Sequence, residues 1–150
     1  MRPGRKFHIL VAEDDPNDRF FVEKAFKMIH GPVTLTMVED GEAIEHYLLR
    51  KDPFTDSTVF PFPGLIMLDI KMPKRTGLEV LAWMTKTDLR RIPVMMVSSS
   101  DLQCDIDRAF DLGANAYLVK PITVQKMQSV FQVTADFWTT VSEWPSQPNR

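Results

Sequence analysis

The chain has 150 residues, 44% of them hydrophobic and 25% charged, with a net charge of −2 and one cysteine, Cys104. That length fits a single domain with a sizeable core and leaves no expectation of a second folded output domain. The weakly acidic balance disfavours nucleic-acid binding, and the lack of an apolar run near the roughly 18 residues of a membrane span argues against insertion in a bilayer. The N-terminus "MRPGRKFHILVAEDD" turns acidic where a signal peptide would stay apolar. With a lone cysteine that excludes an internal disulfide, this predicts a cytoplasmic protein. His8, His30 and His46 lack metal-ligand spacing, so zinc is not expected.

In chain order, five short strand-like runs alternate with helical patterns: residues 7 to 12, 33 to 38, 65 to 68, 94 to 97 and 116 to 119. Such alternation implies βαβ units and a parallel sheet. The first, third and fourth runs are apolar throughout, as strands covered on both faces must be, whereas "VTLTMV" partly alternates with Thr and reads as an edge. The strand order 2-1-3-4-5 satisfies right-handed crossovers and keeps the apolar strands inside.

Caps place the helices. Asp15 and Pro16 open the first, which runs to about Ile29 before Gly31-Pro32; Asp40 caps the second, through Arg50. Thr76 with Glu79 and Ser100 with Gln103 have capping-box spacing, and Gly113 reads as a helix end. Thr123 caps a long last helix from about Val124 to Val141, after which the tail should fray. Trp83 and the scattered Met67, Met84, Met95 and Met96 read as packing, and Cys104 as inert. The segment 51 to 64, with three prolines, is longer than most connections and reads as a recognition loop or an insertion.

Residues just past the strands of a parallel sheet converge on one rim. Here they are Glu13, Asp14 and Asp15, then Asp69, Ser98 and Lys120. Asp15 is accounted for by capping; the other acids are not. Crowded carboxylates raise one another's pKa unless a cation offsets them, and an oxygen-only site with few acids suits Mg²⁺. With a hydroxyl and an ammonium beside it, the site suits phosphoryl transfer with Asp69 as nucleophile.

The blocks "ILVAEDDPNDRFF", "LIMLDIKMPKRTGLEVL", "IPVMMVSSS" and "GANAYLVKPIT" resemble, in order and spacing, the signature blocks of the receiver domain of two-component response regulators. The resemblance covers roughly residues 6 to 140. It implies a flavodoxin-like, doubly wound α/β fold of five parallel strands and five helices, with residues 1–6 as an extension, 7–141 as the receiver and 142–150 as a flexible tail. It further implies that Asp69 takes a phosphoryl group from a phosphohistidine of a sensor histidine kinase. Glu13, Asp14, Asp69 and the backbone carbonyl of Lys71 would hold Mg²⁺. Ser98 matches the switch hydroxyl, Lys120 the phosphoryl-pairing lysine and Tyr117 the aromatic that changes rotamer; the Lys120–Pro121 bond would be cis. Lys71 and Ser100 occupy the positions that tune acyl-phosphate lifetime. Ser98 stands where Thr is more frequent, which keeps the hydroxyl but loses the methyl that restricts its rotamer.

Such a receiver is a phosphoacceptor switch rather than a turnover enzyme. It would signal by changing the surface of the fourth helix, fifth strand and fifth helix toward a downstream protein, a phosphotransfer protein or a second copy of the chain. The Pro-rich loop and the length resemble receivers that partner phytochrome-type sensor kinases. A phosphorelay intermediate and a phosphorylation-independent binding scaffold are the alternative readings. An aspartyl-phosphate phosphatase would place an acid where Lys71 stands, and a flavin module would need a phosphate loop where "EDDPND" stands.

Overall fold

The computed structural model describes residues 6–120 and 123–146. Strands β1 (Phe7–Ala12), β2 (Val33–Val38), β3 (Leu65–Leu68), β4 (Val94–Ser98) and β5 (Ala116–Val119) form one parallel sheet in the order β2-β1-β3-β4-β5. Every residue of β1 and β3 is buried, while β2 is half-buried along most of its length. The apolar runs are therefore central strands, and the Thr-bearing one is an edge, as their composition predicts.

Alternate strand residues feed two cores. Leu10, Ile66, Leu68 and Met96 face helices α2 (Gly41–Leu48), α3 (Gly77–Thr85) and α4 (Gln103–Asp111). Ile9, Val11, Leu65 and Met67 face α1 (Pro16–Phe26) and α5 (Val124–Asp136), where Phe131 is fully buried against Phe26. The period of two along each strand makes this division, and it leaves the strand ends as the place where polar groups can gather.

Capping follows the sequence at four helices. Asp15 accepts from the amides of Asn17 and Asp18, Asp40 from Ala43, and Thr123 from Lys126; Thr76 and Glu79 form a reciprocal capping box. Gly113, at φ 109°, ends α4 in the left-handed region. The expected Ser100–Gln103 box does not form. Leu102 takes the cap position of α4 with no side-chain hydrogen bond, and the Ser100 hydroxyl goes to Asp105 instead. Ser100 lies two residues too early, and an acid on the first turn is a stronger acceptor than a glutamine is a partner.

The ends of two helices also differ from expectation. α1 stops at Phe26, three residues before Ile29, as Lys27 and Met28 turn toward Gly31. α2 stops at Leu48, with Arg50 in the left-handed region. The last helix does reach Val141, but its final turn, Phe137–Val141, is a wide π-turn in which Thr139 and Thr140 donate to carbonyls four residues back.

The 51–64 segment packs. Phe54 and Phe60 set their rings 5.1 and 6.0 Å from Tyr47, whose hydroxyl donates to the Pro61 carbonyl. It thereby covers α2 rather than standing free. The tail does not fray as far as it is described: Trp144 lies 5.5 Å from Phe7, which also stacks on Trp138. The Lys120–Pro121 bond lies outside the described residues.

Buried His8 is bonded through its two ring nitrogens to Thr34 and Thr36, with Tyr47 alongside at 3.1 Å. Burial first, and then the charge of Arg50, lower its pKa to about 4. The unfolded chain, near 6.5, binds the proton more readily, so the stability His8 contributes is present above pH 6.5 and lost as pH falls toward 4. The stability of the native protein minus that of His8→Gln should accordingly shrink by about 2 kcal/mol between pH 7 and pH 4.5. Urea unfolding at a series of pH values measures it; a constant difference would mean that His8 takes up its proton as readily in the folded protein as in the unfolded chain.

Candidate metal and phosphoacceptor site

Backbone hydrogen bonds knit the carboxyl edge of the sheet before any side chain acts. The Glu13 amide donates to Val38 O at 3.0 Å, Asp69 N to Ala12 O at 3.2 Å, and Lys120 N to Ser98 O at 2.8 Å. Arg19, one turn into α1, donates from one guanidinium nitrogen to the carbonyls of both Glu13 and Val38, at 3.0 and 3.1 Å. It clamps the ends of β1 and β2, and so the loop that carries the acids. On the other side, the Gly77 amide donates to Ile70 O at 2.9 Å, and a Cβ on Gly77 would lie 2.1 Å from Asp69 O. Only glycine lets the start of α3 approach the loop after β3 so closely.

On this frame the carboxylates meet. One oxygen each from Glu13, Asp14 and Asp69 lies within 4.8 Å of the others. Glu13 and Asp69 are 4% and 7% exposed and Asp14 is exposed, so the cluster opens to solvent through Asp14. A hard, oxygen-preferring divalent cation fits this donor set, since it can keep waters on the open side. Asp15 is turned away into its capping role.

Lys120 reaches the cluster from the end of β5. Its ammonium donates to Asp69 at 2.9 Å, to Asp18 at 2.7 Å, and to Glu13. Burial opposes that charge, but the hydrogen bonds it donates to Asp18, Glu13 and Asp69 outweigh it and hold the pKa above the usual lysine value. Burial lifts Glu13 to about 7; the hydrogen bond from Lys120 pulls it down and the charge of Asp69 pushes it up. The site carries more negative charge than one lysine balances. A second cation is what the imbalance favours.

The structure brings Glu13, Asp14, Asp69 and Lys120 together, as the sequence predicts. Buried Ser98 sits at the end of β4, its hydroxyl accepting from the Ser100 amide at 3.2 Å. The half-buried Tyr117 donates its hydroxyl to the Ser100 carbonyl at 2.9 Å. Ser100 thus links Ser98 to Tyr117 through its backbone while its own hydroxyl is engaged by Asp105. Lys71 has an exposed side chain; its amide donates to Asp69 Oδ1 at 3.1 Å and orients the carboxylate.

Two residues escape the sequence reading, Asp18 and Arg19. The signal was present: both stand in the first turn of the helix that follows β1, and that turn lies over the same rim as the strand end.

The family model for the response regulator receiver domain matches residues 9–132. Response regulator Rcp1 of Synechocystis is 31% identical over 139 residues, which cover 92% of this chain and 92% of that protein. Among solved structures, the phosphorylated cyanobacterial phytochrome response regulator RcpA superposes with a TM-score of 0.81 at 29% identity, covering 95% of this chain and 100% of that one. The Mn²⁺-bound form of Rcp1 superposes with a TM-score of 0.78 at 30% identity, covering 93% and 99%. A parallel sheet in the order β2-β1-β3-β4-β5, an acid triad with a lysine at its carboxyl edge, and a family match across most of the length agree. The chain belongs to the response regulator receiver domain family, and is a phosphoacceptor signalling switch.

Proposed function

We propose that Asp69 attacks the phosphorus of a phosphohistidine on a sensor histidine kinase, forming an acyl phosphate as the nitrogen–phosphorus bond breaks and the imidazole leaves. The observation that supports this most directly is the pairing of Asp69 with Lys120 beside Glu13 and Asp14. Glu13, Asp14, Asp69 and the Lys71 carbonyl would hold Mg²⁺, which supplies charge neutralisation when bound. Lys120 then pairs with the phosphoryl oxygens, and the Ser98 hydroxyl turns to donate to one of them. That turn withdraws Ser98 from the Ser100 amide, and the Tyr117 bond to the Ser100 carbonyl carries the change to the surface of α4, β5 and α5. Lys71 and Ser100 flank the acyl phosphate and set its lifetime.

The protein acts in the cytoplasm as a receiver of residues 7–141, with 1–6 as an extension and 142–150 as a tail. Its output is binding, to a downstream protein, a phosphotransfer protein or a second copy through α4, β5 and α5. A phytochrome-type kinase is the proposed donor, by similarity to RcpA.

The test is incubation with a small phosphodonor and Mg²⁺, followed by intact mass and association state. One phosphoryl group should appear on the native protein and none on Asp69→Asn. Labelling that ignores Mg²⁺ or survives Asp69→Asn would overturn the reading.

A further inference from the structure

We infer that Asp18 is a positioning residue that draws the Lys120 ammonium aside, so that a divalent cation can take the oxygens of Glu13 and Asp69. This rests on the metal-assisted reading above. The Lys120 ammonium donates to Glu13, Asp69 and Asp18, with Asp18 nearer than Asp69, at 2.7 against 2.9 Å. Glu13 and Asp69 belong to the gathered acid triad and Asp18 does not. Ammonium and divalent cation therefore compete for the same two carboxylates, and among the described residues Asp18 is the one partner of Lys120 that the cation leaves alone.

The geometry of Asp18 suits that role. Its amide is fixed by the Asp15 carboxylate at 3.1 Å, so its place on the first turn of α1 does not depend on the lysine. Its side chain is 35% exposed, against 5% for Glu13 and 10% for Asp69, which sets it on the outer side of the ammonium. A small swing of the lysine toward α1 keeps it ion-paired and frees the inner oxygens. Without Asp18 the ammonium keeps, among the described residues, Glu13 and Asp69 as its partners, and a metal must evict it.

Asp18 also adds negative charge near the metal, an effect of the same sign that a double-mutant cycle separates. Mn²⁺ affinity is measured by calorimetry on the native protein, Asp18→Asn, Asp18→Glu, Lys120→Met and the Asp18→Asn/Lys120→Met double variant. Asp18→Asn should weaken binding roughly five-fold, and Asp18→Glu should restore it to within about two-fold. In the Lys120→Met background, which should bind Mn²⁺ more tightly than the native protein because no ammonium competes, Asp18→Asn should matter by less than about two-fold. Equal losses in both backgrounds would reduce Asp18 to a bystander charge, and no loss in either would remove its role. A native protein that does not bind Mn²⁺ overturns the metal reading itself and this inference with it. Independently of Lys120→Met, NMR of the lysine ammonium protons should show them protected from exchange after Mn²⁺ is replaced by diamagnetic Mg²⁺ in the native protein, and exposed in Asp18→Asn. Loss of protection in the native protein would equally defeat the inference.

Discussion

Lys120→Met is expected to lower the stability of the metal-free protein by about 3 kcal/mol near neutral pH, the usual cost of removing one partner from a buried ion pair. The lysine is 14% exposed and serves two carboxylates that are more buried still. Its removal takes away the cation that Glu13, Asp18 and Asp69 share among the described residues. Glu13, already near 7 with Lys120 present, loses the hydrogen bond that pulls it down and moves higher. A carboxyl whose folded pKa is raised contributes stability below its unfolded pKa and loses it as pH rises through the folded one. The deficit of the variant should therefore be small at pH 5 and largest at pH 8. Divalent cation at about 100 times its dissociation constant should return about 2.7 kcal/mol, because it binds only the folded form. Urea unfolding with chelator and with Mg²⁺, at both pH values, gives the four numbers. A deficit indifferent to pH and metal would assign Lys120 a packing role.

Gly77→Ala should act on the phosphoacceptor from outside the site. The added methyl would lie 2.1 Å from Asp69 O, 2.9 Å from its carbonyl carbon and 3.1 Å from Ile70 Cα. These are backbone atoms, which cannot swing aside as a side chain could. Either the start of α3 retreats and strains its hydrogen bond to Ile70 O, or the loop after β3 moves and takes Asp69 with it. We expect about 2 kcal/mol of lost stability from the overpacking. Asp69 is also held by the hydrogen bond its amide donates to the Ala12 carbonyl and must meet Lys120 and the metal together, so a displacement of about an ångström should slow phosphoryl labelling at least about ten-fold. Initial rates of labelling by a small phosphodonor, read beside the unfolding curves, test both parts. Normal labelling in a destabilised variant would place the yielding atoms in α3.

The strands were legible because each depends on its own few residues. "LIML" has no polar position to show solvent, and "VTLTMV" has two, which suffices to put one at the centre of the sheet and the other at its edge. The caps at Asp15, Asp40, Thr76 and Thr123 were legible for the same reason, since a cap bonds an amide two or three residues ahead. Where two local patterns compete, such reading loses its footing. Ser100 has the spacing of a cap, but its hydroxyl finds Asp105, and α4 begins at Gln103 without it. Trp144 looks like tail until Phe7 and Trp138 offer it a surface, and the 51–64 segment looks like an insertion until Tyr47 gives its phenylalanines a place to pack.

By itself, the sequence determined the alternating α/β order, the sheet with its edge at β2, and the convergence of Glu13, Asp14, Asp69, Ser98 and Lys120 on one rim, because strand direction in a parallel sheet dictates where each strand ends. Only the tertiary structure decided how the charges on that rim are shared. Asp18 and Lys120 are 102 residues apart and no local pattern relates them; they meet because α1 and β5 each deliver an end to the same edge. That meeting gives the lysine a partner outside the acid triad, and leaves the triad with more negative charge than the protein alone neutralises.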